Sequence, residues 1–162
     1  MCHTSSRFQV CSPREALAAP CPYRTHEATE EKCMRTKMKM MFNTKNKKGD
    51  GNGLGYNVNI HMPCGTNDKE ILEVYRTKLF ERAIEFKPDF ILISSGFDSR
   101  KDDPLGCFNL SDDAFGELTK IIVNIGNKFC DGRILSILEG GYNITGNSSA
   151  AIKHINTLKK NF

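Results

Sequence analysis

Two stretches of this sequence place a polar, chemically able side chain directly behind a short apolar run. Phe90-Ile91-Leu92-Ile93 leads into Ser94-Ser95-Gly96-Phe97-Asp98, so an apolar segment stops at a carboxylate. Arg133-Ile134-Leu135-Ser136-Ile137-Leu138 leads into Glu139-Gly140-Gly141-Tyr142-Asn143, where two glycines permit a turn closed to other residues and a phenol follows. Short continuous runs rich in β-branched and aromatic residues mark strands buried on both faces, and such strands belong to parallel sheets. In open α/β sheets ligands sit outside the carboxyl ends of the strands, so Asp98 and Tyr142 fall where a bound or catalytic group is expected.

Something must hold the two strand ends side by side. Between them Ser111 can cap a helix, Asp112 and Asp113 suit its positive first turn, and Ala114, Leu118, Ile121, Ile122, Ile125 and Phe129 share one face. Strand, helix, strand is a βαβ unit, whose right-handed crossover brings both strand ends to one rim of the sheet. Upstream, Ile71, Leu72, Tyr75, Leu79, Ala83 and Phe86 recur at three- and four-residue steps, which predicts an amphipathic helix over 68–86 with its glutamates solvated. A last helix is expected over 148–160, with Ala151, Ile152, Ile155 and Leu158 inward and His154 on the surface. Gly49-Asp50-Gly51-Asn52-Gly53-Leu54-Gly55 is glycine-rich, but the alternating Tyr56-Asn57-Val58-Asn59-Ile60 follows it. A phosphate cradle needs a helix there, so this is a turn ahead of a strand near 57–61. His61, the only histidine of that strand, reads as an exposed or hydrogen-bonded side chain.

At 162 residues with 39% hydrophobic and 26% charged side chains, the chain can bury one domain's core. No apolar run is long enough to span a membrane. The first residues lack the apolar region of a secretory signal, which makes a reducing, intracellular compartment the expectation: cytoplasmic, or nuclear in a eukaryote. The seven cysteines are odd in number and form no Cys-x-x-Cys pair, and so read as free thiols. A net charge of +4 is too small to imply a nucleic-acid partner unless it is concentrated in one place. Residues 1–42 show no sustained period and are expected to be poorly ordered or unrelated to the rest. Arg35, Lys37, Lys39, Lys45, Lys47 and Lys48 could touch phosphates, although alternation with Met38, Met40 and Met41 also fits a short strand with a solvated face.

Phe86-Lys87-Pro88-Asp89 into Ser94-Ser95-Gly96-Phe97-Asp98, then Asp103-Pro104-Leu105-Gly106, then Leu138-Glu139-Gly140-Gly141-Tyr142-Asn143, resembles the C-terminal part of the zinc-dependent histone deacetylase family. The Glu before the two glycines is similar to the class II and bacterial acetylpolyamine or acetoin-utilisation branch. The resemblance extends over residues 43–162. It implies the C-terminal portion of a three-layer αβα fold with a mostly parallel sheet, and hydrolysis of acetyl-lysine or acetylated polyamines. By the same resemblance Asp98 is a zinc ligand, Tyr142 the donor to the developing oxyanion, Leu105 a wall of the acyl-lysine tunnel and Asp103 a supporting carboxylate. Gly140 and Gly141 would let backbone approach the substrate.

One departure from the family is serious. The four histidines, His3, His26, His61 and His154, include no adjacent pair and no Asp-x-His. Two zinc ligands and the proton-transfer histidines of the family are therefore missing, and one carboxylate cannot hold zinc at useful affinity. The expectation is a truncated member, inactive and metal-free alone, that associates through an exposed sheet edge. The competing reading is a noncatalytic interaction or nucleic-acid-binding module using the basic segment 35–48.

Overall fold

The computed structural model describes residues 7–12, 34–39, 51 and 54–160, the first two stretches as paired backbone. Five strands form one sheet in the order β3-β2-β1-β4-β5: β1 (Arg7–Ser12), β2 (Met34–Lys39), β3 (Asn57–Val58), β4 (Phe90–Ser95) and β5 (Ile134–Leu138). Strand β1 pairs antiparallel with both β2 and β4, whereas β2 with β3 and β4 with β5 are parallel. Four strands thus run one way and β1 alone runs the other, which makes a mostly parallel α/β sheet.

Strands β1 and β2 take up twelve residues of the 1–42 stretch in which the sequence shows no sustained period. Without β1, every amide and carbonyl along the far edge of β4 would need another partner, and a backbone ladder supplies one whatever the side-chain period. The rest of 1–42, and Lys45, Lys47 and Lys48 of the basic cluster, lie outside the described residues. Strand β3 is shorter than the expected 57–61.

The helix expected over 68–86 is present in three parts: α1 (Asp68–Val74), a π-helical segment at Tyr75–Leu79, and α2 (Phe80–Phe86). Asn67 starts it with a reciprocal capping box to Glu70. Ile71, Tyr75, Leu79 and Ala83 are the buried positions, as the spacing predicts. Helix α3 (Asp112–Phe129) begins at the Ser111 side-chain cap. It lies close on the sheet because Gly126 has no side chain: a Cβ there would stand 2.7 Å from Ile134 Cδ1. Ile91 and Ile93 of β4 are buried beneath it, and all four helices pack on that face of the sheet. On the opposite face Leu135 is 50% and Ile137 46% exposed, so the described residues supply the sheet and one helical layer.

Helix α4 (Ile144–Lys160) starts four residues before the expected 148, because Asn143 accepts from the Gly146 amide through Oδ1 and caps it. Its inward face also differs from the expectation. Ile152 and Ile155 are more than half exposed, while Gly146, Ala150 and His154 are buried. Small residues let α4 approach its neighbours, and His154 tolerates burial because both ring nitrogens are satisfied. Thr119 Oγ1 lies 2.6 Å from Nδ1 and Ser136 Oγ lies 2.8 Å from Nε2. The Thr119 hydroxyl donates its only proton to the Phe115 carbonyl, so Nδ1–H donates to Thr119 and Nε2 accepts from Ser136. One imidazole thereby ties α4 to α3 and β5.

Burial holds the His154 pKa below its ordinary 6.5. The unfolded chain takes up this proton as pH falls below about 6.5 while the folded chain resists it, so stability is full above that pH and declines towards the folded pKa. His154→Ala is expected to cost about 2–4 kcal/mol, by stranding two hydroxyls beside a cavity. The melting temperature should fall by roughly 5–15 °C at neutral pH, with a smaller deficit at pH 5.

A disulfide joins Cys64 to Cys107, with Cα atoms 5.0 Å apart and a sequence separation of 43. The free-thiol expectation is corrected for these two. Neither sits in a local motif, and only the fold brings them together. Closing a loop of this size constrains the unfolded chain by about 4 kcal/mol. Among the described residues Cys130 is a free, buried thiol. No helix among them is long and apolar enough to cross a membrane.

Candidate functional site

Beyond the ends of β4 and β5 the two chains stay zipped together. Glu139 N–H donates to the Ser95 carbonyl at 3.0 Å and Phe97 N–H donates to the Gly140 carbonyl at 2.7 Å. Phe97 is buried against Phe115 of α3, ring centres 5.2 Å apart, and this anchors the turn that presents Asp98. Asp98 is 1% exposed. Its carbonyl oxygen faces Gly106 so closely that a Cβ there would lie 1.7 Å away, hence only glycine fits.

Gly140 is the point on which the side chains converge. A Cβ placed on it would stand 3.1 Å from Asp98 Oδ2 and 3.5 Å from the Tyr142 hydroxyl. The carboxylate and the phenol therefore border one small space from two strand ends. Gly141 makes the bend that returns Tyr142 to this space. Its φ of +134° suits glycine, and a Cβ would meet Asn147 Oδ1 at 2.6 Å. Asp98 is the buried side of this space and Tyr142, 51% exposed, its open side; Leu105 is equally exposed.

Asp103 binds the two loops into one unit. Oδ1 accepts from the amides of Leu105 and Gly106, both at 2.9 Å; Oδ2 accepts from Tyr142 at 2.7 Å and Asn143 at 3.3 Å. Burial pushes its pKa up, but the four amide donors outweigh this and hold it below the ordinary 3.8. The stabilisation is thus present above about pH 3.8 and is lost as pH falls through the folded pKa. Asp103→Asn, which keeps one acceptor and loses the charge, should speed hydrogen exchange at the Tyr142 and Asn143 amides about tenfold or more at neutral pH, with the difference from the parent shrinking in acid.

Arg100 does not serve the carboxylates of this space. Its Nε donates to Asp112 Oδ1 at 2.5 Å and its Nη1 to the Lys101 carbonyl, which fastens the Asp98 loop to the start of α3. Gly146 packs on the same guanidinium. Of the histidines, His61 is exposed and His154 is committed inside the helix packing; His3 and His26 lie outside the described residues. Sequence reasoning missed the buried role of His154. A usable signal was its position four and eight residues beyond Ala150 and Gly146, on the small-residue stripe.

The family model for the histone deacetylase domain matches residues 41–158. The chain belongs to this family. Histone deacetylase 15 of Arabidopsis thaliana is 36% identical over 111 residues, which cover 68% of this chain and 19% of that protein. A probable deacetylase of Archaeoglobus fulgidus is 40% identical over 98 residues, covering 60% of this chain and 27% of its own length. The acetoin utilization protein AcuC of Bacillus subtilis is 34% identical over 97 residues, 60% of this chain and 25% of that one. The crystal structure of the HDA15 HD domain matches with a TM-score of 0.65 and 35% identity, over 70% of this chain and 32% of that chain. This histone deacetylase family member therefore spans about a third or less of the proteins it matches. The resemblance read from the Asp98, Asp103 and Gly140-Gly141-Tyr142 motifs is borne out at the level of family and fold.

Proposed function

We propose that this chain supplies one wall of a deacetylase site acting on acetyl-lysine or a related acetylated amine such as an acetylpolyamine. The observation that carries the reading is the convergence of the Asp98 carboxylate and the Tyr142 hydroxyl on Gly140. Asp98 would give one carboxylate ligand to the zinc of a complete site, where the ion would act as Lewis acid. The residues present do not make that site by themselves: among the described residues no three His, Cys, Asp or Glu side chains come together. No hydrolytic step is therefore assigned to the ion, and the isolated chain is expected to retain no stoichiometric zinc.

The chain's own groups have separable tasks. Tyr142 donates its phenolic proton as a hydrogen bond to the oxygen that becomes negative when the amide carbonyl is attacked. Its side chain is half in solvent, so it can meet a substrate without displacing a packed neighbour. Leu105 offers an apolar wall to the methylene stem of the amine. Asp103 sets the spacing of Leu105 and Tyr142 through their amides. In this reading the substrate carbonyl is seated beside Gly140, between carboxylate and phenol. Association through the outer edge of β5, beside exposed Leu135, Ile137 and Leu138, belongs to the same proposal. The nucleic-acid alternative has less support, since residues 35–39 belong to β2, an interior strand between β3 and β1.

The test joins residues 43–160 to the N-terminal part of a related deacetylase domain that carries Asp-x-His and paired histidines. Zinc content and release of acetate from an acetyl-lysine peptide are then measured. Hydrolysis that depends on Asp98 and Tyr142 supports the reading. A folded, zinc-loaded chimera with no hydrolysis, or tight Asp98-dependent zinc binding by the present chain alone, overturns it.

A further inference from the structure

The Cys64–Cys107 bond lies outside the space bordered by Asp98 and Tyr142, yet it is wired to the loop that frames that space. Cys64 is exposed in the turn after β3, and Cys107 is half-buried two residues beyond Leu105. Around them three segments run side by side. Gly65 N–H donates to the Cys107 carbonyl at 2.6 Å and Asn109 N–H to the Thr66 carbonyl at 2.8 Å. On the other side Lys101 N–H donates to the Leu110 carbonyl at 2.9 Å, and Leu110 N–H to the Ser99 carbonyl at 3.3 Å. Residues 107–110 are thus sandwiched between the Cys64 turn and the segment that directly follows Asp98, with bridges at Asn67 to Asn109 and Arg100 to Leu110. Gly106, next to Cys107, lies against the Asp98 carbonyl.

We infer that Cys64 and Cys107 form a reversible thiol–disulfide exchange site, open to low-molecular-weight thiols and disulfides, that sets the order of the 99–110 loop. A buried disulfide would be a permanent staple. This one exposes a sulfur-bearing residue to solvent, and exposed disulfides are the labile, regulatory ones. A small thiolate attacks Cys64 Sγ, the sulfur–sulfur bond breaks, and Cys107 leaves as thiolate and takes a proton. A second small thiol then displaces Cys64 from the mixed disulfide. In sum the protein gains two electrons and two protons, and two small thiols become one small disulfide; oxidation runs the same steps backwards with the small disulfide as oxidant. The reduced cysteines stay close, because the turn is also held by Thr66 Oγ1 donating to the Pro63 carbonyl and by Asp68 accepting from Ser111 N–H and Oγ. That retained proximity makes the exchange reversible. Cys130, buried with its thiol pKa pushed up by burial, is shielded from the same reagents.

The test needs neither metal nor substrate, so it stands apart from the deacetylase reading. The full chain is equilibrated at graded ratios of reduced to oxidised glutathione, acid-quenched, alkylated and peptide-mapped, and amide hydrogen exchange is followed in the same samples. The expected result is a Cys64–Cys107 cross-linked peptide that appears and disappears reversibly with the ratio. Exchange at Gly65, Asn109 and Leu110 should accelerate about tenfold in the reduced form, with the middle of α3 unchanged. Cys64→Ser should show the reduced pattern at every ratio. The inference is overturned if Cys64 alkylates fully throughout, if it pairs with a different cysteine, or if loop exchange is the same in both redox states.

Discussion

Tyr142→Phe in the reconstituted domain lowers turnover of an acetyl-lysine peptide by roughly 10²–10³-fold, the usual cost of one oxyanion donor, with zinc content unchanged. The size follows from where the hydroxyl sits. It stands at the Gly140 space opposite the Asp98 carboxylate, and the half-exposed ring packs little that its loss would disturb. The substitution removes one oxygen and leaves the Tyr142 amide on Asp103, so the backbone bend and the loop clamp persist. Removing a group that acts only on the developing negative charge lowers kcat and kcat/KM together and leaves KM nearly unchanged. Turnover within about threefold of the parent, in a folded and zinc-loaded protein, would remove Tyr142 from the chemistry.

The second large effect is on metal retention. Asp98→Asn keeps the shape of a buried side chain but replaces an anionic ligand with a neutral amide, and zinc sites favour deprotonated ligands. The reconstituted domain should therefore drop from about one zinc per molecule to background after dialysis against a weak chelator, with hydrolysis lost in parallel. Circular dichroism and the melting transition of the isolated chain separate this from a folding defect. Loss of zinc with the fold retained supports the ligand role. Zinc retained undiminished, or unfolding of the isolated chain, would instead assign Asp98 to the architecture of the loop.

Both predictions rest on residues that could be read from local pattern. The apolar run Phe90 to Ile93 stops at a loop carboxylate, Ser111 caps α3, and two glycines precede Tyr142; each feature is written within a few neighbouring positions, where steric limits and hydrogen-bond geometry act directly. The βαβ unit followed, and with it the meeting of the two strand ends. The four histidines could be judged in the same way, since an adjacent pair or an Asp-x-His is a local arrangement.

Other features were decided by tertiary contacts. The inward stripe of α4 was misread because hydrophobic periodicity weighs residue type, whereas Gly146 and Ala150 are buried for being small and His154 for finding Thr119 and Ser136. Strand β1 carries no alternation that the sequence reading used, β2 only the Lys and Met alternation that also fitted a solvated basic cluster, and the place of both depends on the backbone ladder that the edge of β4 offers. The sequence by itself determined the β4-α3-β5 unit, the helix over 68–86, the two strand-end motifs and the absence of an adjacent histidine pair or an Asp-x-His. Only the fold decided that Cys64 meets Cys107 across 43 residues, that Asp103 gathers amides from its own loop and from Tyr142 and Asn143, and that Arg100 turns to Asp112. The physical reason is the same in each case: caps, turns and periods are set by neighbours along the chain, while these contacts depend on packing between segments whose separation in sequence says nothing of their distance in space.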